Sequence, residues 1–439
     1  MGAASRATVA VTGAATTILV ARLLGAEGSG NVAVALTVLF VLTVLTTLGV
    51  EHGVAYYVSS GRWRAGAAFA TTQRVALAVG TLGATVGILA RLAIPSAFGD
   101  LTVAETAVTA AVLPFSLAWF YGTYVALADD HYEAYVIPPA AQSALLLVAG
   151  AGLIVAFGLP GAIAALAASH VVVAAAMLVW GRRRLRLDGA ARDEPGQLRR
   201  ALAFGVKGYA ANALQVLNYR VDFFLLSVVA TTAALGHYAV AVGVTSVLWL
   251  LPQALSDVLF PRVAALSAST HASAEEHRAF VEAKSLRHTT LLVVTATAVL
   301  ALALLLLVVP VYGPDFDESI ALGLIRLPGV ALLGIAGVLS ATIIGRGRPE
   351  FGLYTALITT PVTLALYALL IPAYEATGAA LASSISFALS FALSMAFYRR
   401  ATGRGVLGLL LPGRSELEDY RMLIPKIRQW AAGLRRGRG

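Results

Sequence analysis

The sequence predicts an all-α integral membrane protein with about twelve transmembrane helices, arranged as two six-helix bundles related by a parallel repeat. Composition, the length of the apolar runs and the placement of basic residues predict this class. Of 439 residues, 59% are hydrophobic and 13% are charged, whereas soluble domains contain about 25% charged residues. So few charges cannot cover the surface of a water-soluble protein of this length, and the soluble classes are therefore excluded.

Apolar runs of membrane-spanning length define the individual helices. A bilayer core about 30 Å thick requires about 20 apolar residues per helix. Twelve segments meet this requirement: 3–21, 32–54, 68–94, 103–127, 136–158, 160–180, 203–228, 235–259, 289–312, 319–344, 352–372 and 376–398. Helix breakers occupy several short connections, as at Gly158–Gly161 and Pro372–Gly378. The first segment also has the length of a signal-peptide apolar region, a reading that would leave eleven spans.

Basic residues predict the orientation of the helices. With a cytoplasmic N-terminus, 27 of the 32 Lys and Arg residues fall on the inner segments. Positive charge in short loops stays cytoplasmic. We therefore expect a multi-pass protein of the cell membrane with both termini in the cytoplasm. The net charge of +9 is then explained by basic residues at the cytoplasmic face of the membrane. No nucleic-acid partner is expected.

An internal repeat relates the two halves of the chain. A shift of 206 residues places Gly30–Ala35 on Gly236–Ala241 and Glu51 on Asp257. A repeat of six helices enters the membrane twice with the same polarity, which makes it a parallel repeat. The alternative is a chance match in a sequence rich in Ala and Val. The predicted domains are an N-terminal bundle at 1–180, a cytoplasmic linker at 181–201, a C-terminal bundle at 202–398 and a basic tail at 399–439.

Ionisable side chains inside spans are the first functional candidates, because burying them in a membrane costs several kcal/mol unless they are paired or hydrated. Four polar side chains of the seventh span share one helix face: Lys207, Gln215, Asn218 and Asp222. Such a stripe is expected to face a hydrated cavity. Arg220 lies on the opposite side of this helix and requires a partner elsewhere.

Two carboxylates and one histidine have alternative interpretations. Glu51 and Asp257 could bind a coupling cation, or they could cap helix ends or pair with Arg62 and Arg262. His170, in the sixth span, could relay a proton or make an ordinary contact between helices. Pro114 and Pro328 fall in the fourth helix of each half, where we expect kinks.

Several segments resemble the polysaccharide-biosynthesis flippases of the multidrug/oligosaccharidyl-lipid/polysaccharide exporter superfamily. In the first half these are Ala21–Gly25, Gly30 and Leu48-Gly49, and in the second half they are Asn218–Asp222, Leu235–Tyr238, Leu251–Leu255 and Leu259–Arg262. The resemblance covers the whole chain and implies translocation of a lipid-linked oligosaccharide to the outer leaflet. The acidic loop Asp129-Asp130-His131 departs from the basic loop expected there, which puts cargo contacts at this loop in doubt.

The cargo implied by this resemblance carries a phosphate or pyrophosphate, which suits the bidentate, permanently charged guanidinium group. Arg220, Arg326, Arg22 and Lys207 could form a cationic path for it. For Lys207 and Arg22 the alternative is snorkelling to the interface. The other expected partners are membrane lipids, and the protein is expected to act as a monomer.

Other functions are less compatible with the sequence. A Walker A motif, metal-ligand spacing and a nucleophile elbow are absent from it. Neither an enzyme nor a cofactor is therefore expected. The alternatives that remain are a drug/cation antiporter, a membrane-embedded glycosyl- or phosphosugar-transferase, and a structural membrane protein. The tail after residue 412 has the pattern of a basic amphipathic helix lying on anionic lipid.

Overall fold

The computed structural model describes residues 2–185, 196–218, 221–268, 274–348, 350–405 and 407–411. Within these ranges the chain forms helices and no strands, which confirms the all-α class. The α-helices are α1 Gly2–Thr47, α2 Val50–Ser59, α3 Ala65–Ala93, α4 Val103–Ala111, α5 Leu113–Ala128, α6 Tyr132–Phe157, α7 Leu159–Arg184, α8 Gln197–Asn218, α9 Val221–Val229, α10 Thr232–Ser246, α11 Leu250–Ala268, α12 Ala274–Tyr312, α13 Glu318–Gly345, α14 Glu350–Thr402 and α15 Leu407–Leu410. The predicted tail helix and residues 186–195 of the linker lie outside the described residues.

Helix length identifies the membrane crossings. Nine helical stretches of the described chain are long and apolar enough to cross a membrane. Two of them, within α1 and α14, have 44 and 53 residues, about twice the length that one crossing needs. Each is interrupted by a non-helical residue, Gly25 in α1 and Glu375 in α14. The protein is therefore a multi-pass membrane protein. The number of twelve crossings stays a prediction, which these two breaks support.

Two tight hairpins share one backbone geometry. Gly158, between α6 and α7, has φ 61° and ψ −135°, and Glu375, inside α14, has φ 47° and ψ −126°. Three residues after each of these positions lies a glycine. A Cβ added to that glycine would collide with the carbonyl oxygen of the residue eight positions before it. These are Gly161 against Leu153 and Gly378 against Leu370. The fifth and sixth spans of each predicted half therefore join in the same way.

The fourth span is divided into two helices, α4 and α5. The fourth breaks at Val112, and Pro114 follows in the first turn of α5, where a missing backbone N–H is tolerated. Its start is fixed by Thr102 and Glu105, whose side chains cap each other's backbone N–H groups. The seventh span consists of α8 and α9. Pro328 lies inside α13 without ending the helix.

The chain packs as two compact units. Unit 1 comprises Met1–Val244, Leu306–Leu322 and Thr363–Ala382, and unit 2 comprises Thr245–Leu305, Gly323–Val362 and Ser383–Gly439. The largest cluster of buried apolar side chains in unit 1 includes Val54, Leu113 and Tyr121. In unit 2 a cluster that includes Val293 and Leu339 packs α12 against α13. The division into predicted halves at 181–201 stays a prediction.

Candidate functional site

Within unit 1, the part of α1 that follows Gly25 crosses α10 at two glycines, Gly30 and Gly236. A Cβ on Gly30 of α1 would collide with the carbonyl oxygen of Thr232, at the start of α10. A Cβ on Gly236 of α10 would collide with the carbonyl oxygen of Ala26. Both contacts join residues that the 206-residue shift exchanges, because Ala26 corresponds to Thr232 and Gly30 to Gly236. The two backbones thus touch at the predicted outer end of the helices, where only glycine fits.

Polar contacts beside this crossing follow the same correspondence. The Oδ1 atom of Asn31 accepts a hydrogen bond from the backbone N–H of Asp100 at 3.2 Å. The equivalent residue, His237, places Nδ1 2.9 Å from the Oε2 atom of Glu318, at the start of α13. Thr232 adds a hydrogen bond at 2.5 Å from its Oγ1 atom to the Oδ2 atom of Asp100. Asp100 and Glu318 therefore fix the two crossing helices to the chain just before α4 and to the start of α13.

Arg22 lies at this end and binds the last turn of α12. Its Nε atom donates to the carbonyl oxygen of Val311 at 2.7 Å, and Nη2 donates to the carbonyl oxygen of Pro310. Carbonyl groups in the last turn of a helix lack helical partners and carry partial negative charge. Arg22 therefore caps α12 in this structure, with its guanidinium oriented towards protein backbone.

Asp222, the polar residue at the start of α9, is 2% exposed. Its Oδ2 atom accepts a hydrogen bond from the hydroxyl of Tyr238 at 2.6 Å, and Oδ1 accepts one from the backbone N–H of Phe223 at 2.9 Å. The carboxylate thus stabilises the first turn of α9 and ties it to α10.

A helix break surrounds the second candidate carboxylate, Glu51. Between α1 and α2, Leu48 and Gly49 have φ values of 52° and 72°, so the helical hydrogen-bond ladder stops there. Gly49 packs against Gly205 of α8 so closely that a Cβ on either glycine would meet the backbone of the other. The break therefore lies where α2, from the first predicted half, contacts α8, from the second.

The side chain of Glu51 is enclosed near this break. It is 3% exposed, and its Oε2 atom is buried without a hydrogen-bond partner among the described residues. Its Oε1 atom is 3.6 Å from the Nε2 atom of His52. Among the described residues, no ion pair joins Glu51 to Arg62. A buried carboxyl with one unpartnered oxygen can take up a proton or a small cation.

Tyrosine hydroxyls satisfy the backbone at the break. Tyr121 donates to the carbonyl oxygen of Thr47 at 3.2 Å, and Tyr209 of α8 donates to that of Val44 at 2.8 Å. Backbone carbonyls at broken membrane helices are ligands for Na⁺ in transporter folds. Oxygen atoms of this kind are the ligands that hard cations favour.

Arg326, in unit 2, is a buried arginine of α13. It is 8% exposed, and its Nη1 atom donates to the Oγ atom of Ser383 on α14 at 3.2 Å. The guanidinium carbon also lies 5.5 Å from the centre of the Phe387 ring, a cation–π distance. Two residues of the predicted span at 376–398, Ser383 and Phe387, therefore contact the buried guanidinium group of Arg326.

The structure positions the other candidates in part. Lys207, Gln215 and Asn218 belong to α8 and Asp257 belongs to α11, but their side chains are not among those described. Arg220 lies outside the described residues. The Nδ1 atom of His170 is 3.0 Å from the carbonyl oxygen of Leu166 and 3.4 Å from the Nε2 atom of Gln142. These are the contacts of a histidine between two packed helices.

A buried ion pair in unit 2 was missed by the sequence analysis. Arg346, after α13, donates from Nε and Nη2 to the two carboxylate oxygens of Glu282 on α12, both at 2.7 Å. The hydroxyl of Tyr398 on α14 donates to Oε2 of the same carboxylate at 2.9 Å. The pair joins residues 64 positions apart, and sequence spacing contained no signal of it.

Comparison with known proteins identifies the family. The family model described as "Polysaccharide biosynthesis protein" matches residues 19–321, more than half of the chain. The chain belongs to this family. No curated protein matches the chain significantly.

Solved structures show the fold of this chain. The inward-facing conformation of a multidrug resistance MATE family transporter of the MOP superfamily has a TM-score of 0.75 at 15% identity, covering 90% of this chain and 94% of that chain. The lipid II flippase MurJ in its inward closed conformation has a TM-score of 0.70 at 13% identity, covering 93% and 88%. An outward-facing conformation of a MATE family transporter has a TM-score of 0.56 at 14% identity, covering 91% and 93%. The chain therefore has the fold of MOP-superfamily membrane transporters.

Proposed function

We propose that this protein moves a lipid-linked anionic oligosaccharide from the cytoplasmic to the outer leaflet of the cell membrane. The observation that carries the proposal is the match of a polysaccharide biosynthesis family model to a chain with a transporter fold. Assembly of an extracellular polysaccharide from membrane-bound precursors requires the precursor to change leaflets. A chain of membrane-spanning helices with a transporter fold suits this step better than it suits a sugar-transfer step.

Alternating access supplies the proposed mechanism. In transporters built from parallel repeats, two helical bundles rock about a central substrate site. The reciprocal contact of Gly30 and Gly236 supports such a repeat, because each half contributes the same residue to one crossing. Separation of this crossing would open the predicted outer end, and its closure would seal that end while cargo enters from the cytoplasm.

Arginine side chains supply the proposed recognition of cargo. A phosphate or pyrophosphate cannot cross hydrocarbon without compensation, and guanidinium pairs with it through two parallel hydrogen bonds. Arg326 and Arg220 are the residues assigned to this role, with Lys207, Gln215, Asn218 and Asp222 as neighbouring polar contacts. Arg22 is a less favoured candidate for cargo binding, because its guanidinium already donates to a carbonyl oxygen of α12. The lipid tail of the cargo stays in the bilayer throughout.

Glu51 is the proposed binding site for a coupling cation or proton, whose gradient would drive transport. Asp257 is the corresponding residue in the second half. What supports Glu51 is its buried, unpartnered oxygen beside a broken helix that packs against α8. Binding of a cation there would change the packing between α2 and α8.

A drug/cation antiporter is the second candidate function, favoured by the TM-score of 0.75 with a MATE family transporter. Deletion of the gene distinguishes the two. Lipid-linked saccharide accumulating on the cytoplasmic face, with loss of surface glycan, is expected for the flippase. Unchanged glycan with altered drug tolerance would instead identify the antiporter.

Complementation of the deletion tests the cargo site. Arg326→Ala is expected to abolish surface glycan, and Arg326→Lys to restore part of it, while both proteins remain in the membrane. Arg399→Ala, at the exposed end of α14, is the matched control and should complement fully. Full complementation by Arg326→Ala would remove this residue from the mechanism.

A further inference from the structure

A cleft of about 780 Å³ lies between α6 and α7 within unit 1. Its apolar wall comes from one face of each helix: Ile137, Ala141 and Leu145 on α6, and Val172 and Ala176 on α7. The volume falls in the range of small-molecule sites. Ile137 and Val172 are 57% and 50% exposed, so the cleft opens outwards from these helices.

The shape of the cleft follows from the two helices that form it. At the opposite end, Gly161 packs α7 directly against the backbone of α6. At the level of the cleft, Pro138 and Pro139 interrupt the hydrogen-bond ladder of α6. From Val172 to Arg184 the cleft follows α7 for about 18 Å, similar to one leaflet of a hydrocarbon core about 30 Å thick.

The rim at the predicted cytoplasmic end carries charges of both signs. Asp130 and Glu133 supply carboxylates and Arg184 supplies a guanidinium, beside the indole of Trp180. The Nδ1 atom of His131 is 3.3 Å from the Oδ2 atom of Asp129, and the His131 ring packs edge-on against Trp180 at a centroid distance of 5.4 Å. This rim contains the acidic loop that departs from the basic loop expected of a cargo site.

We propose that this cleft binds a phospholipid of the cytoplasmic leaflet with a primary-amine headgroup, of the phosphatidylethanolamine class. Its ammonium would bind Asp130 and Glu133, its phosphate would bind Arg184, and an acyl chain would lie along Ile137 and Ala176. A pyrophosphate-linked cargo lacks the ammonium and would face two carboxylates. A choline headgroup has no N–H to donate to those carboxylates, whereas a primary ammonium has three. This inference is independent of the proposed function.

Quenching of tryptophan fluorescence by brominated lipid tests the proposal. The full-length protein is reconstituted in phosphatidylcholine vesicles containing equal fractions of chain-brominated phosphatidylethanolamine, phosphatidylglycerol or phosphatidylcholine. We expect several-fold stronger quenching by the ethanolamine lipid. Trp180→Phe should remove the difference, whereas Trp119→Phe, on α5, should retain it. Asp130→Asn combined with Glu133→Gln should abolish the headgroup preference, and unchanged quenching by the choline lipid reports correct insertion of that variant.

A second variant and a competitor complete the test. Ala176→Leu fills the apolar part of the cleft and should lower quenching by the ethanolamine lipid without altering the rim. Equal quenching by the three headgroups, or stronger quenching by phosphatidylglycerol, would overturn the proposal. Recovery of fluorescence with added polyprenyl phosphate, but not with unlabelled phosphatidylethanolamine, would assign the cleft to cargo and overturn it as well.

Discussion

Gly30 and Gly236 each face the carbonyl oxygen of the residue four positions before the other, Thr232 and Ala26 respectively. A single axis of approximate two-fold symmetry through the crossing accounts for both contacts. The corresponding residues Asn31 and His237 each make a polar contact beside it, to Asp100 and Glu318 respectively. The crossing is therefore the point where the proposed repeat can be tested by adding single methyl groups.

Gly30→Ala and Gly236→Ala are each expected to abolish most transport, because the added Cβ forces the two backbones apart. The chain contains no cysteine, so Val34→Cys introduces a unique thiol one turn below the crossing. Its reaction with a membrane-impermeant maleimide in intact cells should rise several-fold when Gly30→Ala is added.

Gly13→Ala and Gly243→Ala provide matched controls on the same two helices. At these positions a Cβ meets no described atom within 4 Å, so transport and labelling should stay at the wild-type level. Wild-type labelling and transport in Gly30→Ala would show that the crossing does not seal the outer end.

The residues of this crossing illustrate what the sequence could predict. Hydropathy is a local property, so the apolar runs predicted the helices, and the 206-residue shift already paired Gly30 with Gly236. The approach of their backbones is a tertiary contact that no local pattern encodes. For the same reason Arg22 was recognised as a charge near a span end, but its binding to the last turn of α12 could not be foreseen.

Glu51→Gln is expected to keep the fold and to abolish cation-dependent transport. Glutamine preserves the size of the side chain. Its amide group can neither take up and release a proton nor provide the negative charge that binds a cation. Uptake in proteoliposomes, measured with and without Na⁺ and proton gradients, should lose its gradient dependence in this variant. Glu27→Gln, an exposed carboxylate of α1, should retain it. Gradient dependence that persists in Glu51→Gln would move the coupling site elsewhere.

Arg22→Ala should weaken closure of the outer end without altering cargo specificity. The variant loses the hydrogen bonds to the carbonyl oxygens of Pro310 and Val311, so the last turn of α12 is left uncapped. We expect faster maleimide labelling of Val34→Cys and unchanged discrimination among lipid-linked saccharides in a transport assay. A change in discrimination with unchanged labelling would instead place Arg22 in contact with the cargo.

Glu282→Ala is expected to lower the free energy of unfolding by about 3–5 kcal/mol, the usual result of removing one partner of a buried ion pair. The Glu282 side chain is 0% exposed and that of Arg346 is 8% exposed, so the remaining buried guanidinium would keep only the more distant carboxylate of Glu275, 3.5 Å from Nη2. Thermal unfolding in detergent should show a clear fall in Tm.

Two further variants show whether charge burial is the cause. Arg348→Ala removes a pair whose side chains are 59% and 41% exposed, and it should cost less than about 1 kcal/mol. Replacing Glu282 and Arg346 by Met together with Tyr398→Phe removes all three polar partners and should recover most of the lost Tm, because no charge is left unpaired. If the triple variant is as unstable as Glu282→Ala, the stabilisation comes from the specific geometry of this pair rather than from avoiding an isolated buried charge.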